Sequence, residues 1–395
     1  MTIALESATH PGPAGRSAPH IAAPVRPRRR ALRMIAWITL GLSSLLWVVY
    51  VLALGVKAGP AGLALCTGLA VVPVPVVLAA FRWIDRAEPE PTRLLVAAFL
   101  WGATTACFLS MVVETVVRLP LWLSAGIFEE IAKGALLVVL IWFVRSEFDG
   151  VTDGIVYGGF VAAGFAFSEN IGYFVSSYVY GATADWASAH AVPGQYHTHD
   201  LFVNFLLRGL ASPFAHPLFT VMFGIGLGLA VSSAKRGVRV IAPFVGLTAA
   251  IGLHGLWDYT LLSLRTPTVL FWFIGVAVLL FFVMSVVVGQ IRRRELRSIG
   301  GHLQGYANQG WFAQSELYSL STFKGRRQAR RWAASISGAH GKRAMVDLQH
   351  AATKLGLLHR KLAAGRTVAD FDVRQRALLV QLAGARTVLV LWQSF

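Results

Sequence analysis

Two adjacent glutamates and a lysine stand in the middle of an apolar stretch that begins Pro120-Leu121-Trp122 and continues through Phe128-Glu129-Glu130-Ile131-Ala132-Lys133. If this stretch crosses a membrane, each charge near the bilayer centre costs about 2.5–3.5 kcal/mol even on lenient insertion scales, so the cluster must face a protein-lined or watery cavity. Glu129 and Lys133 stand at i,i+4 and can pair on one helical face, which would make them a helix-orienting pair. Glu130 is turned by about 100° and is left over. The cluster therefore reads as a working site.

Composition supports the membrane setting. Of 395 residues, 55% are hydrophobic and 14% charged, with a mean hydropathy of +0.59; a soluble chain carries nearer a quarter charged residues. The formal charge of +17 is concentrated at the two ends: residues 1–33 carry +5, residues 34–291 carry −1 and residues 292–395 carry +13. Basic flanks of a membrane protein belong on the cytoplasmic side, where they meet anionic lipid, so lipid is the expected partner and nucleic acid is not.

The expected fold class is all-α, a polytopic membrane protein with eight spans near 34–56, 60–81, 94–117, 120–144, 154–180, 206–232, 238–263 and 267–291. Loop charges agree with that count. One side holds Arg26, Arg28, Arg29, Arg30 and Arg33, then Arg82, Arg86 and Arg93, then Arg145, then Lys235, Arg236 and Arg239, then Arg292, Arg293, Arg294 and Arg297. The other side holds Lys57, Arg118 and Arg265, with no Lys or Arg in 181–200. The alternation places both termini in the cytoplasm of a multi-pass protein of the plasma membrane. Pro73 and Pro75 predict a kinked or short second span.

Three parts are therefore expected. Residues 1–33 form a disordered basic arm, since the Ala/Pro/His-rich sequence has no hydrophobic periodicity. Residues 34–291 form the membrane core, its first span too long for a signal-peptide core and hence retained. Residues 292–395 form a small basic helical cytoplasmic domain, with helices near 325–336, 343–364 and 373–392. Cys66 and Cys107, each inside a span, read as small buried residues. The loop histidines His190, His197 and His199 lack a repeated ligand spacing and read as solvated.

Three further polar stretches interrupt the spans. Phe165-Ala166-Phe167-Ser168-Glu169-Asn170 lies in the fifth, with Asp153-Gly154-Ile155-Val156-Tyr157-Gly158 before it. Ser212-Pro213-Phe214-Ala215-His216-Pro217 lies in the sixth and His254-Gly255-Leu256-Trp257-Asp258 in the seventh. His254 and Asp258, at i,i+4, allow a carboxylate to hold an imidazole in one tautomer. At 1.5 Å per residue, Glu129 lies about 13 Å below Pro120, Glu169 about 16 Å from Tyr180, His216 about 15 Å from Leu206 and His254 about 13 Å from Ser263. All four fall at one level, nearer the extracytoplasmic face.

A carboxylate at this depth can act as a general base on water, a histidine can share the proton, and Asn or His donors can stabilise an oxyanion. That equipment suits hydrolysis of an acyl bond without a covalent intermediate. No GxSxG or HExxH motif is present, and neither cysteine accompanies the polar set. A proton-coupled transporter also uses intramembrane carboxylates and histidines, but spans 1–4 and 5–8 show no internal repeat. A non-catalytic scaffold would gain nothing from intramembrane charge.

Glu129-Glu130-x-x-Lys133, Phe165-x-x-x-Glu169-Asn170, His216 and His254-x-x-x-Asp258, in that order on four successive spans, resemble the PrsW family of intramembrane proteases, relatives of the CAAX-prenyl-protease and bacteriocin-processing membrane enzymes. Ile84-Asp85-Arg86-Ala87-Glu88-Pro89-Glu90-Pro91 and the stretch 153–158 look like that family too, and the resemblance covers roughly residues 80–265. It implies an endopeptidase acting on membrane-anchored proteins, anti-sigma-factor-like regulators among them. It also implies Glu129 as general base, Glu130 and Lys133 setting its charge and position, His216 and His254 sharing protons or stabilising an oxyanion, Asn170 donating, and Asp258 orienting His254. Members of the family are often called metalloproteases, so Glu169, His216 and His254 are a candidate zinc set with Glu129 as base. The residues alone leave open whether a metal or a carboxylate activates the water.

Overall fold

The computed structural model describes all residues except 1–26, 118, 145–146, 182–195, 264–266, 366–367, 369 and 392–395. Most of the basic arm, the loop charges Arg118, Arg145 and Arg265, and His190 therefore lie outside the described residues.

The described residues form helices and no strands. In chain order these are α1 (Pro27–Val71), α2 (Val74–Asp85), α3 (Thr92–Leu100), α4 (Cys107–Val116), α5 (Leu121–Phe143), α6 (Val151–Tyr180), α7 (Thr198–Asn204), α8 (Ala215–Ser232), α9 (Arg236–Ser263), α10 (Pro267–His302), α11 (Gln304–Asn308), α12 (Gln314–Ser321), α13 (Phe323–Ala363) and α14 (Phe371–Leu391). Two π-helical turns, Trp101–Ala106 and Phe205–Ala211, join α3 to α4 and follow α7. Five helical stretches are long and apolar enough to cross a membrane: Trp37–Asp85, Thr92–Val116, Val151–Tyr180, Thr198–Ser232 and Arg236–Thr260. The 23-residue α5 also has spanning length, and carries the three charges of the central cluster.

Several differences from the sequence reading have local causes. Helix α1 begins at Pro27, inside the arm expected to be disordered, because proline suits a helix start and the residues after it favour helix. It bends at Gly59 (φ 71°, ψ 164°), a conformation open to glycine and followed by Pro60, so the first two expected spans meet at a kink. The second of them breaks again at Val72-Pro73, in keeping with the prolines there. The sixth begins eight residues earlier than expected, at Thr198, and is interrupted at Ser212–Phe214.

The glycine-rich α6 is the most enclosed of these spans and lies at the centre of the membrane core. In lipid, apolar burial adds little to helix association, which depends instead on close van der Waals approach through small residues. Gly154 of α6 and Gly224 of α8 meet so closely that a Cβ on either would strike the other's carbonyl. Ile155, Val156, Phe160 and Val161 then pack with Phe81, Leu95, Leu137, Val221 and Phe223. Replacing Gly154 with valine is expected to cost the usual 1–3 kcal/mol or so of an overpacked core, or more, since backbone rather than side chain must yield. Thermal unfolding in detergent checks this, and an unchanged midpoint would contradict the packing.

A second apolar cluster lies at the C-terminal end. Leu296 and Ile299 from α10, with Leu303 just after it, pack with Leu317 and Leu320 of α12, Leu348, Ala352 and Leu355 of α13, and Leu382 of α14. Charged contacts seat this layer against α6: Arg360 donates to the Asp149 carbonyl and Oδ1 at 3.3 and 3.2 Å, Lys361 Nζ lies 2.7 Å from Asp149 Oδ2, and Thr152 bonds Glu295. Asp153 caps the start of α6 by accepting the Gly150 and Asp149 N–H groups at 2.8 and 2.7 Å. Arg326, buried under α12 and bonded to the Leu320 carbonyl and Thr353, is pushed down to about 9 by that burial.

Candidate active site

The centre is built on α5. Glu129 and Glu130 project from one turn of the helix and Lys133 from the next, and Lys133 is fully buried. Its ammonium has three N–H groups and uses each: Glu129 Oε2 at 3.0 Å, Glu130 Oε1 at 2.9 Å and His216 Nδ1 at 3.2 Å. The same nitrogen sits 3.8 Å from the centroid of the Phe165 ring. A buried cation between two carboxylates is tolerable because its charge and all its donors are answered locally.

The two histidines arrive by different routes. Gly126 of α5 lies against the backbone of Ile251 and Gly255, a close approach that brings α9 to α5 and sets His254 beside Glu130. Its Nδ1 is 3.0 Å from Glu130 Oε1, and its Nε2 lies 3.7 Å from Glu129 Oε2 and 3.5 Å from Asp258 Oδ2. His216 stands in the first turn of α8, just past the interruption at Ser212–Phe214. Its Nδ1 lies 4.0 Å from Glu129 Oε2, and its Nε2 is 2.7 Å from Glu169 Oε2. The two imidazoles meet edge to face with centroids 5.1 Å apart, and Phe219 lies against His254 at 4.9 Å.

The two adjacent glutamates differ in how they are held. Glu130 has both oxygens engaged: Oε1 by Lys133 and His254, and Oε2 by the Thr220 hydroxyl at 2.8 Å. Glu129 is anchored through Oε2 alone in the bonds just given, and it faces both imidazoles. Glu130 is thus the more fully bonded of the two carboxylates.

Three of the other residues make contacts that differ from those expected of them. Asn170, expected to donate, instead accepts at Oδ1 from Arg208 Nε at 3.0 Å. Asp258 lies near His254, but Glu130 makes the shorter bond that orients the ring. Glu169 reaches the centre only through His216, and its own cation is Arg208, whose NH2 lies 2.5 Å from Oε2. Arg208 and Thr220 were not singled out from the sequence. An arginine inside an apolar span was the available signal for the first; a threonine one turn beyond His216 gives none.

Among the described residues, the His, Cys, Asp and Glu side chains near enough to share one metal ion are Glu129, His216 and His254, with ligand atoms within 4.8 Å of one another. This set exchanges Glu169 for Glu129 relative to the zinc set read from the sequence. One carboxylate and two imidazoles suit zinc, and each imidazole has a carboxylate behind it, Glu169 on His216 and Glu130 on His254, as metal-binding histidines usually do. The donor set fits, provided that the Lys133 ammonium turns away from Glu129 and His216, whose lone pairs it now holds.

Comparison with known proteins gives the family. A family model described as PrsW family intramembrane metalloprotease matches residues 90–288, just over half of the chain and the whole of the polar centre. The chain belongs to the PrsW family. Three proteins called Protease PrsW are similar to it: that of Geobacillus kaustophilus (strain HTA426) is 29% identical over 201 residues, 49% of this chain and 78% of the relative. That of Bacillus subtilis (strain 168) is 28% identical over 197 residues, 48% and 78% of the two chains, and that of Clostridioides difficile (strain 630) is 24% identical over 205 residues, 49% and 78%. No solved structure matches the chain. Membership in PrsW makes the protein a protease and, with its long apolar helices, a multi-pass membrane protein. Nothing in the PrsW relationship supports the transporter alternative.

Proposed function

We propose that this PrsW protein hydrolyses peptide bonds of membrane-anchored proteins near the extracytoplasmic end of their transmembrane segment, with Glu129 taking the proton of the attacking water. The observation that carries the reading is the position of Glu129, a buried carboxylate facing both His216 and His254, beside a Glu130 whose oxygens are already committed. Lys133 fixes Glu129 and holds its charge close to the place where the tetrahedral oxyanion would form. His254, held at Nδ1 by Glu130, turns Nε2 toward Glu129 and can pass the proton on to the leaving amine. Asp258 is on hand beside that nitrogen. A zinc ion, when bound, would be held by Glu129, His216 and His254 in place of the Lys133 contacts and would supply a Lewis acid for water and the scissile carbonyl, so the general-base role of Glu129 belongs to the centre as Lys133 holds it.

The membrane arrangement belongs to the same proposal: eight spans, both termini in the cytoplasm of a plasma-membrane protein, and basic ends against anionic lipid. Residues 1–33, 34–291 and 292–395 serve as arm, protease core and helical cytoplasmic domain. The centre lies about 13–16 Å from the outer helix ends, so water has the shorter path from that side. A bond deep in the bilayer would have to unwind first, leaving backbone groups unsatisfied at several kcal/mol each. Regulators of the anti-sigma-factor type, with one span and an outer domain, have the required form.

Mass spectrometry of the fragments from a single-span reporter tests the assignment. A cut at or just outside the extracytoplasmic end of the span is expected; a cut in the cytoplasmic half would contradict it. Repeating the digestion after a chelator and zinc add-back reads out the metal, with rescue by zinc expected if the Glu129, His216 and His254 set is loaded.

A further inference from the structure

We propose that Arg208 is a positioning residue of the active site, which through Glu169 fixes the tautomer and direction of His216 so that its Nδ1 faces Glu129 and Lys133. The inference rests on the protease reading of the same centre.

The geometry begins with Lys133. An ammonium can only donate, so its 3.2 Å bond to His216 Nδ1 requires a lone pair on that nitrogen. The ring proton is then on Nε2, which donates to Glu169 Oε2 at 2.7 Å. The same Oε2 accepts from Arg208 NH2. Arg208, Glu169 and His216 thus form a chain that ends at the reacting centre, with the guanidinium outermost.

Arg208 is itself held from three directions. Nε donates to Asn170 Oδ1 at 3.0 Å, NH2 donates to Glu169, and the guanidinium carbon lies 3.8 Å from the centroid of the Tyr173 ring. Glu169, Asn170 and Tyr173 occupy neighbouring positions on α6, so one face of that helix receives the planar fork and the ring beneath it. Arg208 stands on the π-helical turn Phe205–Ala211, which the Ser212 N–H and hydroxyl close by donating to the Leu207 carbonyl at 3.0 and 2.8 Å. Such turns inside helices are frequent at functional sites. The interruption that follows then delivers His216 to the same oxygen of Glu169.

This assigns Asn170 as well. Its carbonyl oxygen holds Arg208 and its role is to aim the guanidinium. Without that guanidinium, the Glu169 carboxylate lies in the membrane interior without its cation and is free to swing toward Lys133, releasing His216 Nε2. Carboxylates behind metal-binding or catalytic histidines, and the groups that hold them, typically contribute about 10–100-fold when removed.

The test uses the full-length protein in proteoliposomes and a single-span reporter that the wild type cleaves. Arg208→Met is expected to lower kcat by about 10–100-fold with KM unchanged. The double variant Arg208→Met/Glu169→Gln is expected to cleave faster than Arg208→Met alone. A glutamine leaves no uncompensated charge, and its carbonyl still accepts the Nε2 proton of His216. That rescue is not expected of a residue that only braces the π-helical turn against α6. A wild-type rate in Arg208→Met, a loss confined to KM, or a double variant no faster than the single one would each overturn the proposal. Should Arg208→Met fail to reach the membrane, Arg208→Lys decides: a lowered kcat at unchanged KM supports the role, and wild-type kcat removes it. Glu129→Gln is run alongside. If it abolishes cleavage while Arg208→Met cleaves normally, the protease reading stands and the Arg208 inference falls.

Discussion

Replacing Lys133 with methionine is expected to leave little folded protein in the membrane. The ammonium is fully buried and answers two carboxylates and an imidazole nitrogen at 2.9–3.2 Å. Removing one partner of a buried ion pair typically costs about 3–5 kcal/mol, because the remaining charge stays buried without compensation. Here two carboxylates would be left facing each other on one helix, so the upper part of that range applies. Methionine matches the length and apolar stem of lysine, which confines the change to the charge. Neutralising the carboxylates in the same chain, with Glu129→Gln and Glu130→Gln added to Lys133→Met, is expected to restore much of the folded yield without restoring activity. Membrane yield and thermal unfolding of the single and triple variants measure both effects. A stable Lys133→Met protein would mean that the carboxylates are compensated by something other than this ammonium.

Glu129→Gln should have the largest effect on catalysis. A glutamine keeps the size of the side chain and can still accept from Lys133, but it cannot take a proton from water. Loss of a general base lowers rates by about 10²–10⁴-fold, so kcat/KM for the reporter is expected to fall in that range. Folded yield should remain near that of the wild type, because Lys133 keeps Glu130 as its counter-charge. Glu130→Gln offers a contrast. Both of its oxygens accept hydrogen bonds, from Lys133, His254 and Thr220, so an NH2 group in place of one oxygen faces a donor and strands it. Stability and rate should both fall there. If Glu129→Gln cleaves at the wild-type rate while Glu130→Gln folds normally and is inactive, the roles of the two carboxylates are exchanged.

The sequence made the centre legible because intramembrane charge is costly wherever it is not used. Glu129, Glu130, Lys133, His216 and His254 stand out from their apolar neighbours, and counting residues from the helix ends already put Glu129, Glu169, His216 and His254 at one depth. Their side chains do meet in the folded chain, although the count for His216 began at Leu206, inside a helix that starts at Thr198. What spacing could not provide was the partner of each group. Glu169 reads as a spare carboxylate until α7 and the π-helical turn bring Arg208 onto it, and a span drawn from 206 hides how much helix precedes that arginine. The π-helical turns leave no clear signature, because each adds a residue within a run that stays helical, whereas the interruption before His216 falls at Ser212-Pro213, where a proline breaks the helix. Thr220 is too ordinary in a membrane helix to be noticed, yet it completes the hold on Glu130. The glycines of α6 were visible as composition, but only their pairing with α8 explains why bulk is excluded at Gly154.

The most direct test of whether this polar centre hydrolyses peptide bonds uses three components: purified full-length protein, lipid and a single-span reporter, followed by fragment analysis over time. Two complementary reporter fragments are expected to accumulate in proportion to enzyme, with no such fragments from Glu129→Gln prepared to the same folded state. An intact reporter after incubation with well-folded wild type across a panel of single-span sequences, or the same fragments at the same rate from Glu129→Gln, would contradict the account.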